Sequence, residues 1–468
     1  MTQTPARSTR PPAQAGASAP ATGSWRNWSG LESADGLEVV HPADAGEVAA
    51  VVLEARERGR RVKAAGTGHS FTGIATPEQV HLRPARMQGV LAVDRERLLV
   101  TAAAGTRLAD LNLALERLGL SLHNMGDIAE QTLAGAISTG THGAGGLVAG
   151  LAGQLAGLEL VTGTGEILRV GLDARSEAGA RGGTGDPDDD LLDLVRVGLG
   201  ALGVITTVTF SVEPLFLLRA EERPMGWADG LAAFDDLAAA HDHLDVYWFP
   251  HTDRLLTKGN SRMGTDPAVA DPLPAWRARL DDEFLANTVF GAQTALLNRA
   301  PFAIPAANRL ASRLLSAREY TDVAHRVFTA QRRVVFREME YALPREVGLD
   351  ALREARRALD ASGLRVSFPV EVRVAPGEAA ALATAHGRDS LYLAFHTHRD
   401  ADHRAYFALV EPILRAHGGR PHWGKLHSLE ADDLAPLYPR FEEFTRLRDR
   451  LDPDRVFANR YLERVLGA

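Results

Sequence analysis

The chain has 468 residues, 45% of them of hydrophobic type, with a net charge of −8 and no cysteine. That length supports a large core divided between two or three domains. The acidic balance excludes a general nucleic-acid binder, and the absent thiol excludes disulfides, thiolate metal sites and a cysteine nucleophile.

Taken in chain order, residues 1–23 are rich in Ala, Pro, Ser and Thr without the apolar run of a secretory signal, and read as a disordered tail. No stretch approaches the roughly 18 consecutive apolar residues of a membrane span, so a soluble, cytoplasmic protein is expected. "LEVVHPADAGEVAAVVLEARERGRRVKAAG" predicts a strand, a turn at Pro42, a helix opened by a capping box from Asp44 to Glu47, and a second strand. That strand runs into "GTGHSF", Gly66, Thr67, Gly68, His69, Ser70 and Phe71. Alone, the loop fits either a ligand cradle or a plain turn carrying a solvated histidine.

"RLLVTAAAGTRLADLNLALERLGL" predicts a strand at Leu98 to Ala103 and a helix at Leu108 to Leu118 closed by Gly119. "NMGDIAEQTLAGAISTGTHGAGG" follows, with six glycines in twenty-three residues, and reads as a second cradle against phosphates or a ring edge. "GLELVTGTGEILRV" predicts a hairpin, "ARSEAGARGGTGDPDDD" an exposed, mobile insertion, and "GLGALGVITTVTFSVEPL" a third glycine cluster entering a β-branched strand. A first domain over 24–213 thus gives way to a second over 214–445, where helical patterns such as Leu349 to Ser362 alternate with strands. The end, residues 438–468, reads as an amphipathic helix, a turn at Asp452 and Pro453, and an apolar terminal segment.

Three stretches of the second half carry polar chemistry. In "VSFPVEVRVAP", strand alternation sets Glu371 and Arg373 on one face, about 7 Å apart at Cα, as an anion-stabilising pair in a cleft or an ordinary ion pair on a wet face. In "LYLAFHTHRD", Tyr392, Ala394, His396 and His398 share a face; no third ligand of matching spacing follows, so no metal is expected. In "GGRPHWGKLHSL", Lys425 is one of only three lysines among 52 basic residues, with Lys63 and Lys258. A compact ammonium beside His422 and Trp423 suits an electrostatic partner for a developing alkoxide, and coincidence is the other reading.

The order "GTGHS", "EQTLAGAISTGTHGAG", "GLGALGVIT", "EVR", "RPHWGK" and the terminal "YPRFEEFTRLRDRLDPDRVFANRYLERVLG" resembles the aldonolactone oxidase and alditol oxidase group of the vanillyl-alcohol-oxidase type flavoproteins. The resemblance implies an α+β protein: a PCMH-type FAD-binding domain of two α/β subdomains, and a substrate (cap) domain whose antiparallel sheet, flanked by helices, covers the flavin ring. The segment 446–468 would return to the FAD domain. FAD would lie against Gly66, Thr67, Gly68, His69, Ser70 and Phe71, against Thr132, Gly135, Ser138, Thr139, Gly140, His142 and Gly143, and against Gly203, Val204 and Ile205. His69 stands where the group carries a histidine covalently bonded to the flavin. Glu371, Arg373 and Lys425, with His396, match the substrate-side polar set. The implied reaction is hydride removal from an aldonolactone such as gulono- or arabinono-1,4-lactone, or an alditol such as xylitol, with O2 giving H2O2. A same-fold dehydrogenase using a carrier protein or quinone, and a non-catalytic flavin- or glycan-binding protein, are the alternatives.

Overall fold

The computed structural model describes residues 22–171, 187–330 and 332–468. The segment expected as a tail therefore lies outside the described residues up to 21, while Thr22 and Gly23 already belong to the first strand, Thr22–Arg26. The expected insertion at 174–190 lies outside them up to 186, and its last residues open a helix, Pro187–Val195. Proline at a first helical position costs no hydrogen bond and presets φ.

The N-terminal half holds two sheets. Strands Thr22–Arg26, Ser33–Val40, Val80–Leu82 and Val62–Ala64 lie side by side in that order, the last three mutually parallel. The helix Ala45–Glu57 covers this sheet through Val48, Val52 and Ala55. Asp44 caps it by accepting from the Glu47 amide, while the Glu47 carboxylate reaches back to the Ala43 amide, one residue beyond a strict capping box. A second sheet orders Val90–Asp94, Leu99–Ala103, Val204–Ser211, Leu155–Val161 and Ile167–Gly171, all antiparallel. The helix Leu108–Leu118 ends at Gly119 with φ of 70°, the left-handed stop that glycine adopts without strain.

The second half is built on one antiparallel sheet of eight strands, in the order Arg318–Val323, Leu217–Gly226, Arg254–Arg262, His243–Trp248, Val370–Ala375, Ser390–His398, Phe336–Pro344 and Arg420–Pro421. Its central strands have two buried faces of opposite character. Val246, Val372, Leu393 and Tyr341 lie in register on one face and enter the main apolar core. On that side the helix Gly348–Ser362 packs through Ala351, Leu352, Ala355 and Leu359. The opposite face is ionic.

The chain end closes on the first half. Val62 N–H donates to Val456 O at 2.8 Å, and Gly163 N–H to Leu451 O at 2.8 Å. Asn459 Nδ2 reaches the carbonyls of Gly73, Ile74 and Thr76 at 2.9, 3.3 and 3.0 Å.

Candidate active site

Strand Val62–Ala64 delivers the glycine loop to the wall of a groove of about 830 Å³, counted to its open mouth. Gly66, Thr67, Gly68, His69 and Ser70 line one side; Thr132, Gly135, Ser138 and Thr139 line another, and Gly203, Val204 and Ile205 close the end. Glycine is required at two points. A Cβ on Gly66 would stand 2.2 Å from Thr132 Oγ1, and Gly68 holds φ of +72°. The groove is not lined by Phe71, Gly140, His142 or Gly143. Phe71 turns instead into an aromatic cluster with Phe336 and Phe368, and a Cβ on Gly143 would meet Met125 O at 2.3 Å, so its smallness serves packing.

The chemistry of the groove lining suits a cofactor. Its small residues admit a flat ring, while five hydroxyls and the Lys63 ammonium offer donors to phosphate and ribose. Lys63 is buried and bonds only Gly200 O, at 3.3 Å, among the described residues; burial pushes its pKa down to about 7. FAD therefore fits the residues present.

His69 is held from both sides of its loop. Trp28 N–H donates to Gly68 O at 2.8 Å and Asn27 Nδ2 to Ser70 O at 3.0 Å. The Trp28 ring stacks on the imidazole, centroids 5.8 Å apart at 27°. Burial lowers its pKa, so the ring is neutral near pH 7, and neither nitrogen has a hydrogen-bond partner among the described residues. A neutral, oriented, unengaged imidazole is the form that can act as a nucleophile.

The ionic face of the second sheet meets this loop. Phe71 N–H donates to Gly424 O at 2.7 Å, and Thr72 Oγ1 to Trp423 O at 3.2 Å. These bonds bring Lys425 over the Phe71 ring, 5.1 Å from its centroid. Strand register supplies the rest. Arg373 stands opposite Asp245 and Tyr392, Glu371 opposite Tyr247 and Ala394, and Glu338 opposite His396. The structure thus gathers Glu371, Arg373, His396 and Lys425 on one face.

Arg373 spends Nε on Asp245 at 2.6 Å and Nη2 on Glu371 at 2.7 Å, with Asp127 of the second glycine stretch 3.8 Å away. Asp127 in turn holds Arg332 at 3.0 Å. Burial raises the Glu371 carboxyl against the opposing pull of Arg373, and its second oxygen has no partner among the described residues. Burial would lower Lys425, but the carboxylates of Glu338, 2.5 Å away, and Glu340 outweigh it and keep the ammonium charged. His396 donates Nδ1–H to Pro369 O at 3.1 Å, so its Nε2 faces Glu338 across 3.5 Å. That carboxylate overcomes burial and raises the imidazole pKa.

Sequence reading did not single out Asp127, Asp245, Arg332, Glu338 or Glu340. The alternation in "REMEY" places Glu338 and Glu340 on one face by the same rule that paired Glu371 with Arg373, so those two were readable. His142, Glu340 and His422 bring ligand-type atoms within 4.8 Å of one another. His422 Nδ1 accepts from Gly424 N–H at 3.0 Å, which places the proton of the neutral ring on Nε2, while Glu340 lies 3.3 Å from His142 Nε2.

Fold, groove and ionic face define an FAD-dependent oxidoreductase acting on a CH–OH group. Residues 37–171 match an FAD binding domain, and residues 208–465 match the family described as D-arabinono-1,4-lactone oxidase. The chain belongs to that family. It is 38% identical to L-gulono-1,4-lactone dehydrogenase of Mycobacterium tuberculosis, over 95% of this chain and 99% of the relative. It is 30% identical both to L-gulonolactone oxidase of Scyliorhinus torazame and to alditol oxidase of a Streptomyces species, each over 94% of this chain and 98% of the relative. Among solved structures, cholesterol oxidase from B. sterolicum shares the fold at 16% identity, with a TM-score of 0.79 covering 98% of this chain and 99% of that one.

Proposed function

We propose that the chain oxidises a hydroxyl-bearing carbon of an aldono-1,4-lactone, with a sugar alcohol as the lesser substrate and dioxygen as acceptor, releasing peroxide in the cytoplasm. One observation carries this reading: the bond from Phe71 N–H to Gly424 O joins the His69 loop to the loop bearing Lys425, opposite the Glu371–Arg373 pair. The 1,4-lactone enzymes among the relatives support the choice of substrate class.

Bound FAD supplies a two-electron acceptor for the hydride lost from carbon. The protein's own groups handle the hydroxyl. The open oxygen of Glu371 accepts the substrate O–H and takes its proton as the C–H bond breaks. Lys425, with one donor held by Glu338, directs its remaining N–H bonds at the oxygen on which negative charge grows. Arg373 fixes the carboxylates of Asp245 and Glu371. His69 would be the residue that holds the cofactor covalently, through a ring nitrogen kept neutral by burial.

A second reading has its own support, since the 38% identical relative is named a dehydrogenase. There the electrons pass to a carrier or quinone. The deciding measurement is turnover of gulono- and arabinono-1,4-lactone and xylitol, following peroxide in air and dye reduction without it. Peroxide equal to product formed supports the oxidase; dye reduction with negligible peroxide supports the dehydrogenase; no turnover of any of the three overturns the substrate class.

A further inference from the structure

Residues 284–318 contain four arginines and neither Asp nor Glu, in a chain whose net charge is −8. Their two main helices, Phe290–Arg299 and Ile304–Leu314, are joined by a single turn at Pro301–Ala303. The second helix is amphipathic in the inverse sense. Its buried face carries Ile304, Asn308 and Ser312, whereas Leu310 and Leu314 point outward at 61% and 74% exposure. This orientation is specified. Asn308 Nδ2 donates to Pro250 O at 3.0 Å and to Val366 O at 2.9 Å, both buried bonds that a rotated helix would lose. Phe302 at 84%, Leu296 at 65% and Trp276 at 68% extend the outward apolar set. Arg309 and Arg313 flank the two leucines, and among the described residues neither they nor Arg299 makes an ion pair.

A water-facing helix ordinarily hides its leucines and shows its polar residues. Exposed Leu and Phe flanked by unpaired Arg is the pattern of a helix that lies in an interface. A two-fold self-contact would set Arg309 and Arg313 against their own copies, so like charge opposes a second copy as the occupant. An anionic surface instead attracts this face while repelling the acidic remainder, which fixes orientation as well as affinity. No helix among the described residues is long and apolar enough to cross a membrane.

We propose that the face formed by Leu296, Phe302, Arg309, Leu310, Arg313 and Leu314 docks the protein on the surface of an anionic lipid bilayer. The leucines and Phe302 enter the headgroup boundary, and the arginines bind lipid phosphates, each arginine strengthening attachment on the order of fivefold.

The test is co-sedimentation of the full flavin-loaded chain with vesicles of phosphatidylcholine alone or mixed with about one third phosphatidylglycerol. Binding to the mixed vesicles at least tenfold tighter, weakened by salt, is expected. Leu310→Ser with Leu314→Ser lowers it tenfold or more, and Arg309→Gln with Arg313→Gln removes the preference for phosphatidylglycerol. Turnover stays unchanged in both variants, which reports that they fold. Binding absent from both vesicle types, or undiminished in the leucine variant, overturns the proposal. So does a dimer seen by light scattering without vesicles that the same leucine changes dissociate.

Discussion

Replacing Glu338 by Gln isolates what the buried carboxylate does for Lys425. Glu338 is 4% exposed, and its two oxygens face Lys425 Nζ at 2.5 Å and His396 Nε2 at 3.5 Å. Removing one partner of a buried ion pair costs about 3–5 kcal/mol, and a hydrogen bond to a charged group contributes about 1.5–3 kcal/mol. The amide keeps the shape and one acceptor oxygen, so a loss of about 2–3 kcal/mol in denaturant unfolding is expected. The more specific consequence concerns the ammonium. Lys425 lies above its ordinary pKa because Glu338 and Glu340 outweigh burial. With Glu338 neutral, burial is less opposed and the pKa falls. About 1.4 kcal/mol corresponds to one pH unit, so the alkaline limb of kcat should move down by on the order of one to two units. The assay is steady-state turnover across the alkaline range, normalised to flavin absorbance. If stability falls by the expected amount while the alkaline limb stays in place, Glu338 is a packing group only and the assignment to Lys425 fails.

Four further outcomes follow from the same geometry. His69→Ala should bind flavin that separates on acid precipitation, whereas the parent precipitate stays yellow. Gly66→Ala should fold with little flavin, because its Cβ would meet Thr132 Oγ1 at 2.2 Å; the absorbance ratio of flavin to protein reads this. Arg373→Lys cannot serve Asp245 and Glu371 from one planar fork, so kcat should fall on the order of 100-fold, with KM changing much less. Glu213, partly buried but held by His123 and by both terminal nitrogens of Arg262, titrates near 2 instead of 4.5. Its stabilisation is therefore full above about pH 4.5 and is lost as pH falls through about 2, and Glu213→Gln should flatten that part of the acid-unfolding curve.

Local pattern carried much of this molecule, and the register of distant strands carried the rest. The helix Leu108–Leu118 and its glycine stop follow from spacing alone, because helix periodicity and a left-handed cap are properties of neighbours. Glu371 and Arg373 share a face for the same reason. What sequence spacing could not give is which charges meet them. Asp245 is 128 residues from Arg373 in sequence, and Glu338 is 87 from Lys425. Each pairing exists only once the eight-stranded sheet has set its order. The glycine stretches were legible as cradles, yet the second one divides its labour: Thr132, Gly135, Ser138 and Thr139 face the groove, while Gly143 serves the packing beside it. Asp127, in the same stretch, reaches across to Arg332 and Arg373 and so links the two halves.

The clasp made by Asn459 bears on when the protein can acquire its cofactor. Its side-chain amide bonds Gly73 O across 386 residues of sequence, beside the loop that carries His69. During synthesis that loop leaves the ribosome long before the segment that secures it, and before the strands that bring Glu338 and Arg373 to the site. The groove wall is finished only when the last helix, Arg460–Leu466, is released. The frame around the His69 loop is thus among the last parts of the fold to form, and a nascent chain stalled before Asn459 would carry that loop without the side chain that braces it.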